Sequence, residues 1–271
     1  MKVKFLPQAF LAATLLISFG VAYPATSNAE KGDKIPDRML AGTIIQYDEN
    51  NNMVVLEKGT PVPEQQKSKA AIAPLTAEQQ AELEKEKQQD KEIDEATKSL
   101  PVYHIDNPDP QPGLKVIYDG EGFIKDIILP DQKENAITTN NVSLQALPRG
   151  TRKSPGTYTY GDHDNEIKIN GTSSGYVRGT GRGTNFTDTY GENSNRLQRG
   201  DCATKGAIDN PDFGTEIRVR NYDNNAVANF YKADNGSLPD AVIDIWKTGV
   251  EKLGLEWPSY VSFSARYSYD F

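Results

Sequence analysis

Among the carboxylates of the last third of the chain, Asp209, Asp234 and Asp244 are the candidates for chemistry. Two or three carboxylates converging in one cleft suit the cleavage of glycosidic bonds. Like charges raise the pKa of one member, which keeps a proton for the leaving oxygen near neutral pH. A second member stays ionised and stabilises an oxocarbenium-like charge. Plainer roles compete: Asp244 stands where a helix N-cap is expected, and Asp234-Asn-Gly236 reads as a turn. Aromatic rings that can stack on sugar faces lie in the same half of the chain. Tyr176, Tyr190 and Trp246 are the expected substrate contacts, although core or edge-strand packing uses such rings equally well.

Other motifs lack their necessary surroundings. Gly171-Thr-Ser173-Ser-Gly175 has the nucleophile-elbow spacing, but no helix-forming segment follows and both histidines, His104 and His163, lie upstream. Gly179-Thr-Gly181-Arg-Gly183 has no Lys-Ser/Thr ending, which excludes a phosphate-binding loop. Cys202 has no histidine after it to act as base, so a buried, inert thiol is expected. Asp162-His163-Asp164-Asn165-Glu166 has Ile167 where a calcium loop needs glycine, and reads as a polar turn. No metal and no cofactor is expected.

The elements that must position these residues fall into two units. Residues 1–29 have the form of a secretory signal peptide, with Lys2 and Lys4 before an apolar run too short to span a membrane. Gly42-Thr-Ile-Ile-Gln-Tyr47-Asp48 and Gly113-Leu-Lys-Val-Ile-Tyr118-Asp119 repeat Gly, Tyr and Asp at the same spacing, each before a turn and a second apolar run. Two β-hairpins packed into a small module over residues 30–130 are predicted. An insertion over 58–112 interrupts it. Thr76-Ala-Glu-Gln79 forms a capping box ahead of a Glu-, Gln- and Lys-rich helix over 77–98. Leu83 and Ile93 do not recur at core spacing, so the helix is expected to be solvated or partly disordered. Residues 131–157 read as a linker. From 158 to 271 the pattern is mostly strand, with segments at 166–169, 176–178, 216–220, 227–232 and 260–267. One helix follows Asp244, closed by Gly254.

Composition narrows the function classes. A chain of 271 residues with a formal charge of −8 does not present the basic face that nucleic-acid binding requires. One cysteine excludes an internal disulfide framework and a cysteine-based zinc cluster. An exported, acidic protein that is not embedded in a membrane is expected.

The order of motifs between Ala203 and Leu255 supplies a resemblance. Phe213-Gly214-Thr215 before a strand, then Asp234-Asn-Gly236, then Ile243-Asp244-Ile245 resembles the double-psi β-barrel of rare lipoprotein A-like proteins, expansins and the three-aspartate cell-wall domain. It covers 175–265, about a third of the chain, and leaves 30–157 unexplained. The resemblance implies a mainly β protein with a C-terminal six-stranded double-psi β-barrel. It further implies a secreted cell-wall protein acting on peptidoglycan or another wall polysaccharide. The transglycosylases of this group use an aspartate and let a substrate hydroxyl attack, giving an anhydro-sugar. Their histidine before Gly-Thr is replaced here by Ile208 or Asp209, so an aspartate-only site fits better, with Asp209 resembling the first acid of the three-aspartate pattern. The resemblance implies Asp244 as the acid, with the charge of Asp234 helping to hold its proton. An expansin-like module that grips or loosens polysaccharide without cleaving it is the alternative, and an exported inhibitor or adaptor is a third.

Overall fold

The computed structural model describes residues 34–61, 75–130, 146–191, 194–257 and 261–271. The expected signal peptide and the first part of the expected linker lie outside them.

In chain order, β1 (Ile44–Tyr47) and β2 (Met53–Glu57) precede α1 (Ala77–Thr97) and β3 (Val102–Ile105), and β4 (Lys115–Tyr118) and β5 (Ile124–Ile128) follow. The two hairpins share one antiparallel sheet in the order β2-β1-β4-β5. The repeated aspartates do the same work in each turn. Asp48 Oδ1 accepts from the backbone N–H of Asn50 and Asn52, at 2.8 and 2.9 Å. Asp119 Oδ1 accepts from Glu121 and Phe123, at 2.7 and 3.1 Å. Such side-chain-to-backbone bonds replace the ladder where the chain reverses. The repeated tyrosines, Tyr47 and Tyr118, are both buried in this sheet's core with Ile45, Leu114 and Val116.

The remaining strands are β6 (Thr151–Arg152), β7 (Gly156–Tyr160), β8 (Asn165–Asn170), β9 (Tyr176–Phe186), β10 (Asp201–Lys205), β11 (Asp209–Asn210), β12 (Glu216–Asn221), β13 (Val227–Gly236), β14 (Ile243–Trp246) and β15 (Phe263–Asp270). Six of them close on themselves in the order β14-β10-β13-β12-β15-β9, with β9 pairing back to β14. The β10–β13 and β14–β9 pairs are parallel and the other four antiparallel, so this is a closed six-stranded mixed barrel. Full closure leaves the barrel proper without a bare edge. Its core is filled by inward residues such as Ile217, Val219, Phe230, Ile243, Ile245 and Tyr267. Beyond β9 the sheet continues through β8 and β7 to β3, a strand of the insertion that pairs with β7 in parallel.

Several boundaries differ from the sequence reading, with common causes. The 176–178 segment extends to Phe186 through the glycine-rich run. A Cβ on Gly179 would lie 2.0 Å from the Tyr267 ring, and one on Gly183 2.5 Å from Phe263. The glycines let rings of β15 lie flat on β9, so they mark close sheet packing. Gly171 to Gly175 connects β8 to β9 as a hairpin loop, with no helix after it. Asp244 is no helix cap: it lies inside β14, and Trp246 is the N-cap of a short 3₁₀ helix, Lys247–Leu253, which Gly254 ends in a left-handed conformation. Asp234 lies inside β13 and not in a turn.

The largest departure concerns α1. Its capping box forms as expected, Gln79 N–H donating to Thr76 Oγ1 at 3.2 Å and Thr76 N–H to Gln79 Oε1 at 3.0 Å. Its acids, however, are not a solvated face. Glu82, Glu86, Asp90 and Asp94 recur at i, i+4 and therefore line one side of the helix. Opposite them, four neighbouring strands present Arg218 and Arg220 (β12), Arg266 (β15), Arg178 (β9) and Lys168 (β8). Glu86 accepts from Arg218 Nε at 2.7 Å and Arg220 Nε at 2.6 Å. Asp90 meets Arg266 Nη2 at 2.7 Å, and Asp94 meets Arg178 Nη2 at 2.8 Å and Lys168 Nζ at 2.6 Å. The helix is docked on the barrel by paired charges, with only Ile93 as a fully buried large apolar residue.

Candidate functional site

Along β14, Ile243 and Ile245 point into the barrel core, so the period-two alternation puts Asp244 and Trp246 on the outer face. Parallel pairing with β9 sets Thr184 beside Asp244 and Phe186 beside Trp246. Thr184 Oγ1 donates to Asp244 Oδ1 at 2.8 Å. Asp244 is 9% exposed. Burial pushes its carboxyl up to about 7, against the hydrogen bond from Thr184 and the charges of Lys125 and Arg182, with Asp188 adding to the rise. The group therefore exchanges a proton near neutrality. Desolvation, not a neighbouring Asp234, is the main cause.

The pocket over Asp244 has a wall that the barrel does not supply. Asp119, Ile124 and Lys125 of the N-terminal sheet line it together with Arg182, Thr184, Asn185 and Asp240. Arg182 is the fastener: its Nη2 donates to Asp119 Oδ2 at 2.6 Å and Glu121 Oε2 at 3.0 Å, and its Nε to Ser262 Oγ at 2.8 Å. The N-terminal sheet thus belongs to the site, a role the isolated hairpin motifs did not reveal.

Asp234 and Asp244 stand on either side of Ala203, because β13 and β14 both pair with β10 at that residue. That register separates their backbones by two strand spacings, roughly 9–10 Å. Ala203, between them, packs with Phe186, Leu197 and Trp246 in a small apolar cluster. Asp209 is elsewhere. It is wholly buried in the barrel and accepts hydrogen bonds from Tyr267, at 3.2 Å, and Tyr269. Burial raises its carboxyl to about 6, with Tyr269, Arg152, Tyr267 and Lys232 opposing. The three aspartates do not converge, and Asp209 is closed to any ligand by its own core.

The expected aromatic contacts also divide. Trp246 flanks Asp244, and its indole Nε1 donates to the Asp188 carbonyl at 2.6 Å. Tyr190 projects from the same connection between β9 and β10 and is 61% exposed. Tyr176 begins β9, eight residues from Thr184 and so roughly 26 Å along the strand. Its hydroxyl accepts from Arg266, which makes it a neighbour of α1.

A constellation around the Asp162–Glu166 turn goes beyond what its local sequence shows. Asp240, 4% exposed, accepts from the backbone N–H of Asp162 and His163 at 2.8 and 3.2 Å, from Asn165 Nδ2 at 3.0 Å, and from His163 Nδ1 at 2.6 Å. Its carboxylate fixes the β7–β8 turn and orients the imidazole. Phe123 packs edge-on against that ring at 4.3 Å. His163 then lines an open cleft of about 600 Å³ between the two units, with Arg38, Glu121, Phe123, Tyr222 and Ser262. The sequence holds His163 and Asp240 77 residues apart, so no local pattern could pair them.

No protein-family model and no curated protein sequence matches this chain. Among the described residues, no group of three or more His, Cys, Asp or Glu is placed to hold a metal. No helix among them is long and apolar enough to cross a membrane. Cys202 is fully buried, and burial pushes its thiol up, which leaves it unreactive.

Proposed function

We propose that this is an exported cell-wall protein whose barrel is a double-psi barrel of the rare lipoprotein A-like kind. In this reading it cleaves peptidoglycan glycan as a lytic transglycosylase. The observation that carries the proposal is Asp244: an acid on the outer face of a closed barrel, raised to about 7, beside an indole. A carboxyl with that pKa donates its proton to the leaving glycosidic oxygen as the C1–O bond breaks. The resulting carboxylate takes the proton of a hydroxyl of the same sugar as that oxygen closes on C1, giving an anhydro-sugar. Trp246 and Tyr190 offer ring faces to the sugar on this side. The wider cleft, with Phe123, Tyr222 and several hydroxyls, offers room for neighbouring residues of the glycan strand.

A second reading, a wall-binding module without catalysis, is favoured by one observation: Asp244 is 9% exposed and its pocket is tight. Incubating the mature protein with purified sacculi separates the two. Soluble anhydro-sugar fragments in the supernatant, lost about a hundredfold in Asp244→Asn, are expected for the enzyme. Co-sedimentation without fragments assigns the binding module, and the absence of both fragments and co-sedimentation overturns both readings.

A further inference from the structure

A second buried cluster has no part in the site above. Lys232 of β13 and Asn210 of β11 are each 1% exposed, and Asp209 is fully buried. Lys232 Nζ lies 2.9 Å from Asn210 Oδ1 and 2.5 Å from Asn235 Oδ1. Asn210 Nδ2 donates to the Leu147 carbonyl at 2.6 Å, which turns the amide so that its oxygen faces the lysine. The Phe213 ring centre lies 5.6 Å from the same nitrogen.

We propose that Lys232 and Asn210 become joined by an intramolecular isopeptide bond. Nζ attacks Cγ of Asn210, the Nζ–Cγ bond forms, the Cγ–Nδ2 bond breaks, and the departing nitrogen leaves as ammonia. No oxidant, reductant or co-reactant is consumed. An oxygen 2.9 Å from the amine places its carbon within about 4 Å, given a C=O bond of about 1.23 Å, close to near-attack range. Fixing the two groups in one geometry replaces the high concentration such an uncatalysed acyl transfer requires. Asp209 is next in sequence to Asn210, and Lys232 is among the charges acting on it. The proton shed by Nζ passes to the departing Nδ2, which completes the ammonia that leaves. Asn235 is half-buried and only three residues away on the same strand, so it serves as the second acceptor that steadies the amine. The bond would tie β11, and through its pairing β6, to the barrel wall.

The test is the intact mass of the purified mature protein, followed by peptide sequencing by tandem mass spectrometry. A mass lower by one ammonia, with one branched peptide joining the Lys232 and Asn210 segments, is expected. Lys232→Arg and Asn210→Ala should each restore the unreacted mass, whereas Asn235→Ala should keep the branched peptide. A wild-type protein that retains its full mass after prolonged incubation overturns the proposal. So does a mass change without a branched peptide, or a branch that survives Asn210→Ala. The wild-type measurement does not depend on any variant folding.

Discussion

Glu86→Gln probes how α1 is held. Glu86 is 3% exposed, and its two oxygens each take a guanidinium Nε, from Arg218 at 2.7 Å and Arg220 at 2.6 Å. Burial opposes its charge, but the bonds and charges of the two arginines outweigh it, and its pKa is lowered. Glutamine keeps the shape and one acceptor oxygen but removes the charge. Arg220, 2% exposed, also donates to the Asn225 carbonyl at 3.1 Å, a neutral acceptor that does not replace the lost charge. Breaking one partner of a buried pair costs about 3–5 kcal/mol. The helix contributes little apolar burial to offset this, so the loss should appear as undocking of α1 with the barrel intact. At about 1.4 kcal/mol per tenfold, the opening constant should rise by roughly two to three and a half orders of magnitude. Hydrogen exchange reads this directly, as faster exchange over Ala77–Thr97 with barrel strands unchanged. Because the pKa of Glu86 is lowered, its contribution is fully present above the ordinary glutamate value and is lost as pH falls through the lowered one. Acidification should therefore undock α1 in the wild type and have less effect on the variant. Glu84→Gln, on the exposed side of the helix, is the control. Unchanged exchange in Glu86→Gln, or equal loss in the control, would refute a charge-docked helix.

Three further outcomes follow from the same geometry. Asp244→Asn should gain stability relative to wild type as pH rises from about 4 to about 7, by up to about 4 kcal/mol, because the unfolded chain ionises this acid earlier than the folded one; urea midpoints at pH 5 and 8 measure it. Asp240→Asn weakens a carboxylate that accepts four hydrogen bonds, and should cost about 2–4 kcal/mol in urea denaturation while the His163 ring resonances lose their fixed environment. Gly179→Ala drives a methyl group to within 2.0 Å of the Tyr267 ring and should lower stability by about 1–3 kcal/mol, whereas Gly42→Ala, whose Cβ meets nothing within 4 Å, tests backbone strain alone.

Local signals along the chain are sufficient for the parts of this fold that depend on neighbours in sequence. The Gly-Tyr-Asp repeat specifies two hairpins because each aspartate closes its own turn within four residues. The capping box of α1 likewise spans three residues. Alternation and β-branching mark the strands, and the six-stranded barrel is implied only by the resemblance that the Gly-Thr, Asp-x-Gly and Ile-Asp-Ile motifs carry. Tertiary structure decides what those elements do to one another. Whether Asp244 caps a helix or sits in a strand depends on β9 and β10 pairing on either side of it, and both lie more than 35 residues upstream. Asp209 has the same side chain, yet the barrel wall encloses it between two tyrosines and removes it from any cleft. Hydrophobic periodicity could not show the docking of α1, because its adhesive face consists of carboxylates whose partners come from four separate strands. The pairing of His163 with Asp240, and the wall that the N-terminal sheet adds to the Asp244 pocket, arise from contacts between residues that only closure of the barrel brings together.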